Sequence, residues 1–140
     1  MTIATAIQRI QALALASSSD MKIAPDNPVD NAATLPMSMA RLGGGQSTAA
    51  NSTTNVFIPS IFVDFYFNRS WMKKAFEQID TIVPAFANRL AGDPTLNGTR
   101  DTIVFPVLWS EPEPVDLDDV QTLRVRFTIP VKTLETPVST

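Results

Sequence analysis

The sequence has no cysteine and no histidine among its 140 residues. Without cysteine there is no disulfide framework, no thiol nucleophile and no thiolate metal site. Without histidine the usual general base at neutral pH and the commonest zinc ligand are missing, which excludes most hydrolase designs. Serines are plentiful, but none lies in a G-x-S-x-G elbow and none has an activating histidine. Positive charge is also short. Eleven Lys and Arg against 14 Asp and Glu give a net charge of −3. That balance lacks the broad basic field on which nonspecific phosphate binding depends, and DNA wrapping does not fit it. The apolar N-terminal segment has no basic leader and is interrupted by Gln8, Arg9 and Gln11. It is expected to be neither a secretory signal nor a membrane span, which makes a soluble, cytoplasmic chain the expectation.

What is present reads as one domain over residues 1–140, long enough to bury roughly 68% of the surface of its unfolded chain. Ile3, Ile7, Ile10 and Ala14 recur at helical spacing between Thr2 and Ser17, with Thr2 placed as N-cap. Pro25, Pro28 and Pro36 keep the next stretch extended or turning, and residues 35–42 are a candidate strand. "GGGQSTAANSTTN", residues 43–55, is small and polar, and is expected to be a flexible loop or an arm that orders on a neighbouring subunit. "VFIPSIFVDFYF" predicts a strand over residues 56–67 with two apolar faces. Ser70 is placed to cap a helix whose stripe runs Trp71, Ala75, Ile79, Ile82, Phe86, Leu90, kinked at Pro84 and stopped at Gly92. A turn, "DPTLNG", leads to a strand over 102–109, whose partner spans 122–131 across an acidic tip. Residues 136–140 are expected to fray.

This order predicts an α+β fold: an antiparallel sheet of three to four strands with two helices packed on one face. The other face then exposes Val56, Ile58, Phe62 and Tyr66, joined by Val104, Pro106 and Leu108 if the later strand turns that way. Four large apolar side chains are worth on the order of 6–12 kcal/mol when removed from water, so the face needs a cover. Val56, Ile58, Phe62 and Tyr66 are therefore the predicted subunit interface, unless the proline-rich segment folds over them.

Chemistry is harder to find. Asp64 lies among aromatics and is expected to pair with Arg124 or Arg126 across strands. Glu111, Glu113, Asp116, Asp118 and Asp119 have neither the calcium-loop spacing nor an apolar pocket to separate two carboxylates, so they read as a solvated loop. Arg124 and Arg126 have no interleaved aromatic platform for RNA and read as a charged outer or inter-subunit face. Trp71 and Trp109, one opening a helix and one ending a strand, are expected in the core. No catalytic, metal or cofactor site is predicted.

A helix ending at Leu90, then Asp93-Pro94-Thr95-Leu96-Asn97-Gly98, Asp101, Ile103 and a strand, resembles the tail terminator (tail completion) family of long-tailed bacteriophages. The N-terminal helix, the aromatic strand and the closing strand "LRVRFTIPVK" are similar to it as well, so the likeness spans residues 57–132. The stretch 17–55 departs from the compact hairpin expected there. The resemblance implies a virion subunit, assembled in the host cytoplasm, that forms a closed ring, commonly a hexamer, at the head-proximal end of the tail tube. Its implied partners are other copies of itself, the tail tube protein and the head-closure (neck) proteins, with DNA passing unbound and no membrane. It implies no cofactor and no catalytic residue. Another neck or head-tail joining protein shares most of this physics, and a monomeric domain whose second sheet face forms a small-ligand pocket is the rival of a different class.

Overall fold

One long strand, β6 (Val120–Glu135), organises the sheet. It alternates buried Leu123, Val125, Phe127, Ile129 and Val131 with partly exposed Arg124, Arg126, Thr128 and Pro130, the period of two that a strand with one covered face requires. A computed structural model describes residues 3–18, 21, 35–51, 54–96, 102–117 and 120–135. The chain is α+β, with a six-stranded antiparallel sheet and two helices.

In chain order, α1 (Ile3–Leu15) is followed by β1 (Met37–Asn51) and β2 (Thr54–Asn68), which form a long antiparallel hairpin. A 3₁₀ turn (Arg69–Trp71) opens α2 (Met72–Ala91). β3 (Thr102–Ile103), β4 (Leu108–Trp109) and β5 (Glu113–Leu117) then add in turn along one side of β6, whose other side pairs with β2. β1 therefore lies at one edge of the sheet, and the short strands make up the other.

Both helices cover the same sheet face. Ile10, Leu13 and Ala14 of α1 and Ile79, Ile82, Phe86 and Leu90 of α2 share one cluster with Ile61, Val63, Phe65 and Phe67 of β2 and the inward residues of β6. At its centre Phe65, Phe86 and Phe127 meet edge to face, with centroids 5.1, 5.7 and 4.8 Å apart. Pro84 lies within α2 on its exposed side, and the helix continues across it, because the apolar stripe on both sides of the proline stays in the core. Gly92 ends the helix, its N–H bonding to the Asn88 carbonyl at 3.0 Å. The left-handed residue of the following turn is Leu96 (φ 52°), whose side chain is fully buried. Burying a leucine, at about 1.5–3 kcal/mol, offsets a left-handed conformation costing about 1–2 kcal/mol. Asn97 and Gly98 lie outside the described residues, as do Thr2, Asp118, Asp119 and residues 136–140.

Several expectations need correction. The sheet has six strands, not three or four, because the acidic tip is itself a strand: β5 pairs with β6 from Glu113–Arg124 to Leu117–Val120. The predicted strand over 102–109 is two short pieces, since Pro106 cannot donate to a ladder and interrupts it. Ser70 does not cap α2, whose N-cap position is Trp71 with no side-chain hydrogen bond; the cap belongs to the 3₁₀ turn before it, where Asn68 Oδ1 accepts from Ser70 N at 3.0 Å and from Ser70 Oγ at 2.6 Å. Residues 43–51, read as a loop or arm, are strand, and pairing with β2 runs to Asn51–Thr54. Gly43 and Gly45 answer to close approach rather than to a turn. A Cβ on Gly45 would lie 2.5 Å from the Ile58 carbonyl oxygen and from Pro59 Cα, and one on Gly43 would lie 2.8 Å from the Phe62 ring. The register shifts between Leu42 and Gly45, as at a β-bulge.

Candidate functional site

On the face opposite the helices, strand register sets side chains in rows across the sheet. One row reads Met37, Tyr66, Arg124, Glu113, the next Met39, Asp64, Arg126, and the next Arg41, Phe62, Thr128, Leu108. Asp64, 3% exposed, accepts from Arg126 Nε at 2.7 Å and from Nη2 at 3.1 Å. Of the two sequence candidates for its partner, Arg126 is the one that reaches it. The Phe62 ring is flanked by cations from the strands on either side, with Arg41 Cζ 5.0 Å and Arg126 Cζ 4.9 Å from its centroid. Arg124 is paired with Glu113.

The electrostatics follow from these contacts. The Asp64 hydrogen bond, opposed by burial, holds the Arg126 guanidinium above its ordinary value. Hydrogen bonding to Arg124, and then its charge, holds the Glu113 carboxyl below the usual carboxylate range. Burial pushes the Tyr66 hydroxyl up, the Asp64 charge adds to this, and Arg124 opposes it. These shifts keep each group in its ordinary neutral-pH form. The array ties β1, β2, β5 and β6 together and presents no activated nucleophile.

The four predicted interface residues divide. Val56, Ile58 and Phe62 are partly buried on this face. Tyr66 is 4% exposed and forms a small second cluster with Met37 and Met39, against which Leu35, Val115 and Val120 pack. Tyr66 is thus covered within its own chain, by Met37 and Met39 of β1 and by Leu35, Val115 and Val120, which pack against them.

The tryptophans also depart from expectation, being 60% and 55% exposed at Trp71 and Trp109. Trp71 sits in the 3₁₀ turn under the Lys74 ammonium, 4.8 Å from its ring centroid. Trp109 leans on Phe127 at 5.6 Å and leaves its other side open. Phe105 (48%) and Leu108 (63%) are exposed along the same rim, Leu108 on the opposite sheet face in the row of Phe62. The period-two pattern of residues 102–109 could not reveal this ledge, since it cannot distinguish a strand inside a sheet from two fragments at its rim.

Trp109, Ile79, Val83, Val125, Ser110, Glu111 and Pro112 line an open cleft of about 240 Å³, and a second cleft of about 240 Å³ lies between Leu35 and Trp71. Both fall below the roughly 300–1,000 Å³ of a small-molecule site; a third depression of about 420 Å³ reaches that range but is lined by the exposed side chains Trp71, Lys73, Lys74 and Glu77 at the start of α2. Among the described residues no three acidic side chains gather to hold a metal ion, and no helix is long and apolar enough to cross a membrane. No protein-family model matches the sequence, and no curated protein matches it.

Proposed function

We propose that this chain is a structural virion protein of the tail terminator type. Copies of it form a ring, hexameric by the family likeness, at the head-proximal end of a phage tail tube. The ring ends tube polymerisation and joins the tail to the head-closure proteins, while DNA passes through without specific binding. The observation that carries this reading is the sheet face bearing Val56, Ile58 and Phe62, on which neither helix packs. A neighbouring subunit would cover it. The residue chemistry agrees, since the rows on that face are salt-bridged and stacked rather than arranged around a reacting atom.

Adding purified protein to polymerising tail tube subunits tests the proposal. Tubes capped at one end, with elongation stopped, are expected. Uncontrolled tube length alongside binding to head-closure protein would point to another neck component. Native mass spectrometry at micromolar concentration is the second arm: a ring mass supports the proposal, and a stable monomer refutes it.

A further inference from the structure

The open sheet face and the helix side of this chain carry unpaired charge of opposite sign. On the open face the strand rows set Arg41, Arg124, Arg126 and Lys132 against Asp64 and Glu113. Both acids are engaged, Asp64 by Arg126 and Glu113 by Arg124. Among the described residues Arg41 and Lys132 have no carboxylate partner. Arg41 is held over the Phe62 ring, 5.0 Å from its centroid, and Lys132 is exposed. The face is therefore apolar around Val56, Ile58, Phe62 and Leu108 and carries two free cations, on a chain whose net charge is −3.

The helix side has the reverse. Trp109, in the row of Phe127, faces the helices and is 55% exposed. The cleft between it and α2 is lined by Ile79, Val83, Pro112 and Val125, and its one charged group is Glu111. Asp80 follows Ile79 on α2 and is exposed. Neither Glu111 nor Asp80 has a cation partner among the described residues. Lys73 and Lys74 stand apart from the cleft, with Trp71 and Glu77 at the start of the helix. A surface that covers the open face has to supply apolar area and carboxylates, and the α2–Trp109 side supplies both. Strand register puts the two surfaces on opposite sides of the sheet, so stacking the helix side of one copy on the open face of the next uses each surface once, the relation that a head-to-tail ring repeats. Two-fold pairing of open face on open face, or of helix side on helix side, gathers like charges instead.

We propose that the open sheet face of one copy, around Phe62, packs on the α2–Trp109 side of the next, where Asp80 and Glu111 answer Arg41 and Lys132. The occupant of the face is thus a second copy of this chain. The proposal rests on the ring reading and adds to it which surface of the neighbour does the covering.

Charge exchange tests it. One variant carries Arg41→Glu with Lys132→Glu, the other Asp80→Lys with Glu111→Lys. Each alone sets like charges together at every interface and is expected to lower the assembled fraction, read by native mass spectrometry, by about tenfold or more. In an equimolar mixture each contact between unlike variants is complementary again, so assembly is expected to return, with the two alternating around the ring. Undiminished assembly of either variant alone overturns the proposal, and restoration on mixing excludes misfolding as the cause of the loss. A second arm leaves the charges in place and decides the matter if the charge variants do not fold. The chain has no native cysteine, so Leu108→Cys, on the open face, and Pro84→Cys, on the exposed side of α2, are mixed and treated with a bis-maleimide. A linked dimer containing one of each is expected. Leu108→Cys linking to itself as strongly as in the mixture overturns the proposal in favour of face-to-face pairing. A native oligomer with no mixed link overturns it and leaves the ring reading standing, whereas a native monomer removes both.

Discussion

Replacing Asp64 by asparagine removes the negative charge at the centre of the polar face while keeping the shape of the side chain. The carboxylate takes two charge-assisted hydrogen bonds from Arg126, at 2.7 and 3.1 Å. Bonds to charged groups contribute about 1.5–3 kcal/mol each. Asparagine keeps one acceptor and turns an NH₂ toward the guanidinium. A fully buried pair broken on one side costs about 3–5 kcal/mol. Here the arginine side chain is 27% exposed and the aspartate 4%, so water recovers part of the loss on one partner only. A cost of about 2 kcal/mol is expected, which at roughly 3 °C per kcal/mol for a domain of this size lowers Tm by roughly 6 °C. Urea and thermal unfolding, followed by circular dichroism at two protein concentrations, separate this change from one in assembly, since association adds a concentration dependence to Tm. Asp64→Leu with Arg126→Met should cost less than Asp64→Leu alone, because the double change leaves no lone charge behind. A loss under about 0.5 kcal/mol for Asp64→Asn, or a double variant no better than the single, would refute the role given to this pair.

Further outcomes follow from the same contacts. Phe86→Ala, at the fully buried aromatic centre, should destabilise by about 3–5 kcal/mol. Phe76→Ala, 43% exposed on the same helix, should cost under about 1 kcal/mol in urea unfolding. Gly45→Ala should cost about 1–3 kcal/mol, because its new Cβ meets backbone. Gly44→Ala, with nothing within 4 Å of the added atom, should be close to neutral, and equal effects from the two would refute the close-approach account. Tyr66 is the single tyrosine, so absorbance at alkaline pH reports it alone, and its midpoint should lie above 10.0. The folded state then holds that proton more tightly than the unfolded chain. Its contribution to stability is complete below pH 10.0 and declines as pH rises through the folded value. Glu113 has the opposite sign: its contribution is present above the ordinary carboxylate value and is lost as pH falls through the depressed one, so Glu113→Gln should flatten the acid limb of the stability profile.

The sequence by itself determined the two helices, the aromatic strand, the closing strand and the core they share. Each rests on a local period that survives folding: Ile79, Ile82, Phe86 and Leu90 at helical spacing, and Leu123 to Val131 alternating by two. It also offered Arg124 and Arg126 as partners for Asp64, but choosing Arg126 required the register of β2 against β6, which no local pattern carries. Tertiary structure alone decided the rest. Glycine tolerates both a loop and a crowded strand, so the triple glycine could not announce that Phe62 presses against Gly43 and the Ile58–Pro59 backbone against Gly45. Tyr66 and Phe62 lie on one face of one strand, yet only Tyr66 is sealed, because Met37, Met39, Leu35, Val115 and Val120, distant in sequence, pack around it. Trp109 carries enough apolar surface for a core residue. Its place on the rim comes from a strand cut short at Pro106 and paired on one side only, a property of the sheet's edge and not of the residue.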